Sequence, residues 1–257
     1  PNSVRQALKG CEGLLHAAAL VALENKHAEA VFAANAQAVR TVVGGAVERG
    51  LQRIVHVSSV AALFNPRAET ITADSPVSEG DSPYQRSKAS AERYVRQLQE
   101  QEPSVHVSYP VGVIGPDDPG LSEGNNAIVT FLRLAALVTE GAFQMVDVRD
   151  LAQGHAALFG PAAAKPGHVR HLFGGHCLPW QEVVDALSHV TGRRVRRLRL
   201  PGWAVRASGR FADAARRIIP VPVPATAEGM TYVTRWVEAQ SSPSVAELGV
   251  RYRSVEA

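Results

Sequence analysis

The sequence predicts an α/β protein: a parallel, doubly wound sheet with helices on both faces, followed by a smaller α/β lobe. Three observations support this. Short apolar runs of strand length alternate with longer amphipathic segments of helical period from residue 13 to about residue 160. That alternation is the signature of parallel strands joined by helical crossovers. Beyond residue 160 the pattern changes, and an arginine-rich stretch, "RRVRRLRL" (193–200), appears.

Taken in order, Asn2 or Ser3 can cap a short helix ending before Gly10, and "GLLHAAAL" (13–20) reads as a buried strand. Residues 29–49 form a helix with Val31, Asn35, Ala38, Val42 and Ala46 on one stripe and Gly50 as its stop. "RIVHVSS" (53–59) is the next buried strand, and a polar loop (64–82) leads to "SPYQRSKASAERYV" (82–95). Ser82 can cap this helix and Pro83 suits its first position. "SVHVSYPVGVIG" (104–115) gives a further strand, followed by a loop at 116–126 rich in Gly, Asp and Asn. Helices are expected at 127–139 and 149–159, with a strand near 143–147 between them. In the lobe, a strand is expected at 168–175, a helix at 178–192 ending at Gly192, an exposed strand at 193–200 and a helix after Pro201.

The composition is that of an ordinary globular chain, 46% hydrophobic and 20% charged over 257 residues. No apolar run approaches the roughly 20 residues of a membrane span, nothing at the start resembles a signal peptide, and no membrane partner is expected. Cys11 and Cys177 are the only cysteines, which suits a reducing cytoplasm better than a disulfide framework. The chain opens at Pro1 close to a compact element and ends abruptly, so it reads as an excised piece.

Within the helix that starts near Pro83, Tyr84, Lys88, Ala91, Val95 and Leu98 share the inward stripe. Gln85, Arg86, Ser90, Arg93, Arg96, Gln97 and Glu100 take the other side. A lysine on a buried stripe needs a reason, because lysine is almost never fully buried without a partner. Tyr84 and Lys88 stand one turn apart and can reach a common point. A nearby ammonium favours the phenolate; bringing a tyrosine from about 10 to near 7 requires roughly 4 kcal/mol. Tyr-x-x-x-Lys alone is frequent by chance, and a snorkelling lysine beside a packed tyrosine is its bland reading. Two more polar intrusions stand with it. Ser58 and Ser59 end a parallel strand on the side where open α/β sheets bind ligands, and Asn35 lies on an apolar stripe.

With "GCEGLLHAAAL", "RIVHVSSVAAL", "SPYQRSKASAE", "YPVGVIGPDD" and "VDVRDLAQGHAAL" in this order, the sequence resembles the extended short-chain dehydrogenase/reductases, the group of NAD-dependent epimerase/dehydratases. Within that group it is most similar to dihydroflavonol-reductase-like and 3β-hydroxysteroid-dehydrogenase-like members. The resemblance implies a Rossmann-like sheet, N-terminally incomplete, over residues 1–112 and 141–160, with a substrate lobe from 113–140 and 161–257. It implies hydride transfer between a nicotinamide and a small or medium carbonyl or secondary alcohol. Tyr84 would be the general acid/base, Lys88 would bind the nicotinamide ribose, Ser59 would orient the substrate oxygen, and Asn35 would complete the tetrad through a water. His16, Ala18 and Ala19 match the segment beside the adenosine half of the cofactor; Ser58 joins the cofactor contacts, and Pro110 and Val113 match the strand end bordering the nicotinamide. The cofactor is NAD or NADP, with the likeness to reductases tilting towards NADP. Homodimerisation is left open.

Two departures qualify the resemblance. The family's Gly-x-x-Gly-x-x-Gly turn, which follows a strand and binds pyrophosphate at a helix N-terminus, has no counterpart. Gly10-x-x-Gly13 precedes a strand, Gly44-Gly45 lies inside a helix, and Gly112-x-x-Gly115 ends a strand. A βαβ unit of roughly 30 or more residues is therefore expected upstream, and this chain alone is expected to bind cofactor poorly or be inactive. "SSVAALF" also lacks the acidic pair of sugar-nucleotide dehydratases, and the chain lacks the Tyr-Gly of many epimerases, which favours simple reduction or oxidation. Epimerisation, a non-catalytic nicotinamide-sensing regulator and an inactive fragment are the alternatives. No metal site is expected: His168 and His171 would face opposite sides of a strand, and with His176 and Cys177 they match no zinc spacing. No nucleic acid is expected either, because "RRVRRLRL" has no interleaved aromatic residues and suits a charged edge strand. Asp150 and His155 read as structural.

Overall fold

The structure is a computed structural model and describes residues 2–20, 28–80, 83–161, 169–215 and 227–257. Along the chain run α1 (Asn2–Ala7), β1 (Gly13–His16), α2 (Ala28–Glu48), β2 (Arg53–Val57), a 3-10 turn (Val60–Ala62), α3 (Pro83–Gln99), β3 (Val105–Pro110) and β4 (Gly112–Ile114). There follow α4 (Glu123–Arg133), β5 (Ala136–Val138), β6 (Ala142–Asp147), α5 (Val148–Ala157), β7 (Arg170–Phe173), β8 (His176–Pro179) and α6 (Trp180–Thr191). The last elements are β9 (Arg197–Arg199), α7 (Gly202–Ala215), α8 (Ala227–Thr234) and α9 (Ser242–Leu248).

The main sheet has the order β1-β2-β3-β7, and every neighbouring pair is parallel. β2 and β3 read as nearly continuous apolar runs because they are covered on both faces; Ile54, Val55, Val105, Val107 and Tyr109 are fully buried. Adjacent strand residues face opposite sides. Thus Tyr109 meets Glu92 of α3, while Ser108 meets His155 of α5. The sheet is therefore doubly wound, with α2 and α3 together on one face and α5 on the other. A second sheet, β4-β6-β8, pairs β4 with β6 in parallel and β6 with β8 antiparallel; β5 and β9 form a parallel pair.

Several expectations are corrected. The first strand ends at His16, and residues 17–20 form an exposed loop. Among the described residues β1 has a single strand neighbour, and its Leu15 is exposed. The run 104–115 is two strands in two sheets: Pro110 has no N–H to continue the ladder, and Gly112 packs close to the Gln144 carbonyl. The helix expected at 127–139 begins at Glu123 and stops at Arg133, because residues 136–138 pair with β9. β7, expected in the lobe, completes the main sheet beside β3. In α2 the buried stripe runs through Asn35, Val39, Val43 and Ala46, one step from the expected Ala38 and Val42. The side chain of Val31, the Ser82 cap and His168 lie outside the described residues. Glycine ends α2, α6 and α9 in left-handed conformations at Gly50, Gly192 and Gly249.

No helix among the described residues is long and apolar enough to cross a membrane. Close packing between α5 and the sheet yields a sharp expectation. A Cβ at Gly154 would collide with the buried Phe173 ring. Gly154→Ala should therefore destabilise the fold by about 1–3 kcal/mol through overpacking, read as a lower urea midpoint at unchanged slope. An unchanged midpoint would show that the ring yields freely.

Candidate active site at the carboxyl end of the central strands

The carboxyl ends of β1 and β2 and the first turns of α3 bring most of the expected polar residues together. Ser58 follows β2 and donates its backbone N–H to the Ser108 carbonyl at 2.8 Å, which fixes it beside β3. Its side chain is buried, and the hydroxyl has no hydrogen-bond partner among the described residues. Ser59 caps the 3-10 turn, its Oγ accepting from the Ala61 N–H at 3.2 Å. That bond uses an oxygen lone pair and leaves the hydroxyl proton to donate elsewhere. The following side chains, Val60, Ala61 and Ala62, are buried and apolar.

Lys88 lies one turn into α3 from Tyr84, with its Nζ 5.9 Å from the centroid of that ring. It is only 8% exposed, and its ammonium makes no hydrogen bond to any described residue. Burial brings its pKa down to about 8, against the opposing pull of the Glu92 carboxylate. At pH 7 roughly nine in ten of these amines still carry a proton, given that midpoint. Tyr84 itself is half-buried.

Asn35 enters from α2 and is 6% exposed. Its Oδ1 accepts from the Leu20 N–H at 2.8 Å, and its Nδ2 donates to the Leu20 carbonyl at 2.8 Å and to Ser87 Oγ at 3.3 Å. The two Leu20 bonds fix which way the amide points. Both amide hydrogens are thereby committed, so any water bound here must donate to Oδ1. The visible work of Asn35 is to tie the loop after β1 to both helices.

His16 turns inward rather than towards that loop. Its Nδ1 lies 3.2 Å from His56 Nδ1, and the rings stack with centroids 5.4 Å apart. Burial first, and the Lys88 charge second, lower its pKa. The His56 pKa falls to about 3, from burial, then His16, then Lys88. Ala18 and Ala19 lie exposed on the loop. Pro110 is buried at the end of β3 in register with Phe173, and Val113 is half-buried on β4 in register with Val146. The strand break between them puts Pro110 and Val113 in different sheets.

Other polar groups escaped the sequence reading. Gln85, expected outward, is buried, and its Nε2 donates to Tyr232 Oη at 2.9 Å. Ser87 and Glu92 are fully buried on α3. At 100° per residue Glu92 lies about 40° around the helix from Lys88, so a wider inward stripe would have included it. His106 sits on the opposite sheet face, its Nδ1 3.2 Å from His171 Nε2 and its Nε2 against the Arg53 guanidinium. His176 Nε2 lies 2.7 Å from the Arg253 carbonyl. Asp150 accepts from the backbone N–H and the guanidinium of Arg253, which ties α5 to the C-terminal segment.

The family described as "NAD dependent epimerase/dehydratase family" matches residues 1–169. A putative dihydroflavonol 4-reductase of Synechocystis sp. is 31% identical over 210 residues, which cover 79% of this chain and 60% of that protein. Sterol demethylase protein B of Methylococcus capsulatus is 29% identical over 229 residues, covering 87% of this chain and 68% of that one. The chain thus spans about three fifths to two thirds of the length of these curated relatives. Among solved structures, gox2253 superposes with a TM-score of 0.79 at 23% identity, covering 100% of this chain and 78% of that one. A UDP-glucuronic acid 4-epimerase from Bacillus cereus in complex with NAD gives 0.70 at 13% identity, covering 98% and 73%. At such identities these two likenesses concern the fold alone.

Proposed function

Starting from a chain that belongs to the NAD-dependent epimerase/dehydratase family, we propose that the site serves an oxidoreductase interconverting a small or medium carbonyl compound and its secondary alcohol. The observation that carries this reading is the buried Lys88 side chain: one turn from Tyr84 and close enough to His16 and His56 for its charge to act on them, it makes no hydrogen bond to any described residue. Keeping a charge so dry without a bonded partner is costly, and a ligand rich in hydroxyls would relieve that cost. The Ser58 hydroxyl is buried with no hydrogen-bond partner among the described residues. Both fit the ribose of a nicotinamide dinucleotide at the carboxyl end of a parallel sheet.

A bound nicotinamide supplies or accepts the hydride. Lys88 holds the ribose hydroxyls and, through its charge, favours the deprotonated form of the neighbouring phenol. In reduction Tyr84 gives its proton to the carbonyl oxygen as hydride arrives at carbon; in oxidation it takes that proton back. Ser59 donates its hydroxyl proton to the same oxygen and fixes the direction of approach. Asn35 secures the loop carrying Ala18 and Ala19, which would border the adenosine half, and His16 stands at the end of β1 where that loop begins. Pro110 and Val113 would border the nicotinamide. The apolar turn Val60–Ala62 offers no acid or base next to Ser59, which favours simple hydride exchange over dehydration.

The test, on the protein completed with the upstream βαβ unit expected from the sequence, is an absorbance assay at 340 nm with NADPH or NADH and a panel of hydrophobic ketones and aldehydes. Oxidation of either nucleotide that depends on the carbonyl compound is the expected result. Nucleotide binding with no turnover across the panel, together with turnover of a nucleotide sugar, would replace reduction by epimerisation.

A further inference from the structure

Beyond Lys88, one further turn along α3, stands a second ionisable group that hydride transfer does not use. Glu92 is 0% exposed. Its Oε1 accepts from Tyr109 Oη at 2.5 Å and from Arg96 Nε at 2.9 Å, while its Oε2 is buried with no hydrogen-bond partner among the described residues. Arg96 is held in place by the Ser75 carbonyl at 3.0 Å and by Tyr109 Oη at 3.4 Å. Tyr109 is itself fully buried on β3.

As a device for stability this arrangement is poor. A buried carboxylate with one oxygen unsatisfied costs several kcal/mol in desolvation, and apolar residues often fill such a site more favourably. The spacing suggests what the charge does instead. Side chains four residues apart on a helix are neighbours, yet the ion-pair partner of Glu92 is Arg96, on the far side from Lys88. One turn from Lys88, the carboxylate opposes the effect of burial on that amine while its hydrogen bonds go to Tyr109 and Arg96.

We propose that Glu92 is a positioning residue: drawn back by Arg96 and Tyr109, its carboxylate keeps the Lys88 amine charged in a nearly dry pocket while leaving the amine's N–H groups for a ligand. The identity of that ligand, the cofactor ribose, rests on the function proposed above; the charge coupling does not. The other titratable groups around Lys88 are Tyr84 on α3, His16 on β1 and His56 on β2, with Arg96 and Tyr109 beyond Glu92. Burial holds both histidines neutral near pH 7, and Glu92 alone among these groups acts to favour the charged amine.

The experiment is an NMR titration of the Lys88 side chain, by its 13Cε and 15Nζ resonances, in the protein without nucleotide, with assignment through Lys88→Met. The wild-type midpoint is expected near the value of about 8 that burial and Glu92 jointly set. Glu92→Gln should lower it by at least about one unit, a tenfold rise in neutral amine at pH 7, whereas Glu92→Asp, which retains the charge, should restore most of the shift. An unmoved midpoint in Glu92→Gln overturns the proposal. If that variant does not fold, Arg96→Gln serves instead: with the competing guanidinium gone the midpoint should rise, and no rise is equally fatal. Titration of both proteins, each completed with the upstream βαβ unit expected from the sequence, with NADPH and NADH separates the two claims. Failure of either nucleotide to bind at any pH overturns the functional reading and the assignment of the N–H groups, even where the Lys88 midpoint shifts as expected.

Discussion

In the protein completed with its upstream βαβ unit, Tyr84→Phe should lower carbonyl reduction by about 100-fold to 10,000-fold, the range that a positioned general acid contributes, while nucleotide affinity changes by less than about threefold. The phenol oxygen is the only atom removed. The ring, half-buried and 5.9 Å at its centroid from the Lys88 amine, remains in place. The loss should therefore appear in kcat and kcat/KM together, the mark of an interaction realised in the transition state. Turnover within about threefold of wild type would remove Tyr84 from the proton-transfer role. A parallel loss of nucleotide binding would instead point to a structural function for the hydroxyl.

Acid should unfold this protein well before most carboxylates are protonated. Buried histidines lie on both faces of the main sheet, and four of them, His16, His56, His106 and His155, titrate below their ordinary value near 6.5. Burial brings His56 to about 3, His106 to about 3 and His155 to about 4, and it lowers His16 as well. In each case the folded state binds its proton less readily than the unfolded chain. The stability these groups contribute is thus fully present above pH 6.5 and is lost progressively as pH falls from there towards their folded values. For His56 alone, the most completely buried in its environment, the loss at pH 5 is about 2 kcal/mol. The other three add in the same direction, against a total stability typically of about 5–15 kcal/mol. The urea midpoint should fall steeply between pH 7 and pH 5, and His56→Phe should flatten that fall. A midpoint constant over this interval would mean that the histidines are already solvated.

Much of the site could be read from sequence because its chemistry violates the local rules of packing. Lysine at position 88, asparagine at 35 and serine at 58 each interrupt an otherwise apolar face, and each is buried. Such interruptions stand out without any knowledge of the partner strand. The parallel main sheet was legible for a similar reason: strands covered on both faces are continuous apolar runs, and residues 53–57 and 105–110 have that form.

What could not be read depends on residues distant in sequence. The three residues of β5 are a strand only because Arg197–Arg199 lie beside them, and in isolation they continue the helical period of α4. β7 joins the main sheet through pairing with a strand more than 60 residues earlier, from Val107 with Arg170 to Pro110 with Phe173. Glu92 was missed because a carboxylate at the margin of a helical stripe ordinarily belongs to the solvated side. Its burial follows from Tyr109 and Arg96, neither of which announces a buried partner. The same holds for the histidine pairs, whose stacking depends on strand register: His16 lies directly opposite His56, and His106 is diagonal to His171.

The most direct measurement follows the hydride itself. NADPH or NADH carrying deuterium at the transferable position of C4 is supplied with a ketone that the protein turns over, and the product is analysed by mass spectrometry and NMR. One deuterium on the carbinol carbon, a solvent-derived proton on the oxygen, and loss of this product in Tyr84→Phe are the predicted results. Product formed without deuterium at that carbon, or formed equally well without Tyr84, would contradict the assignment of the site as one of nicotinamide-dependent carbonyl reduction.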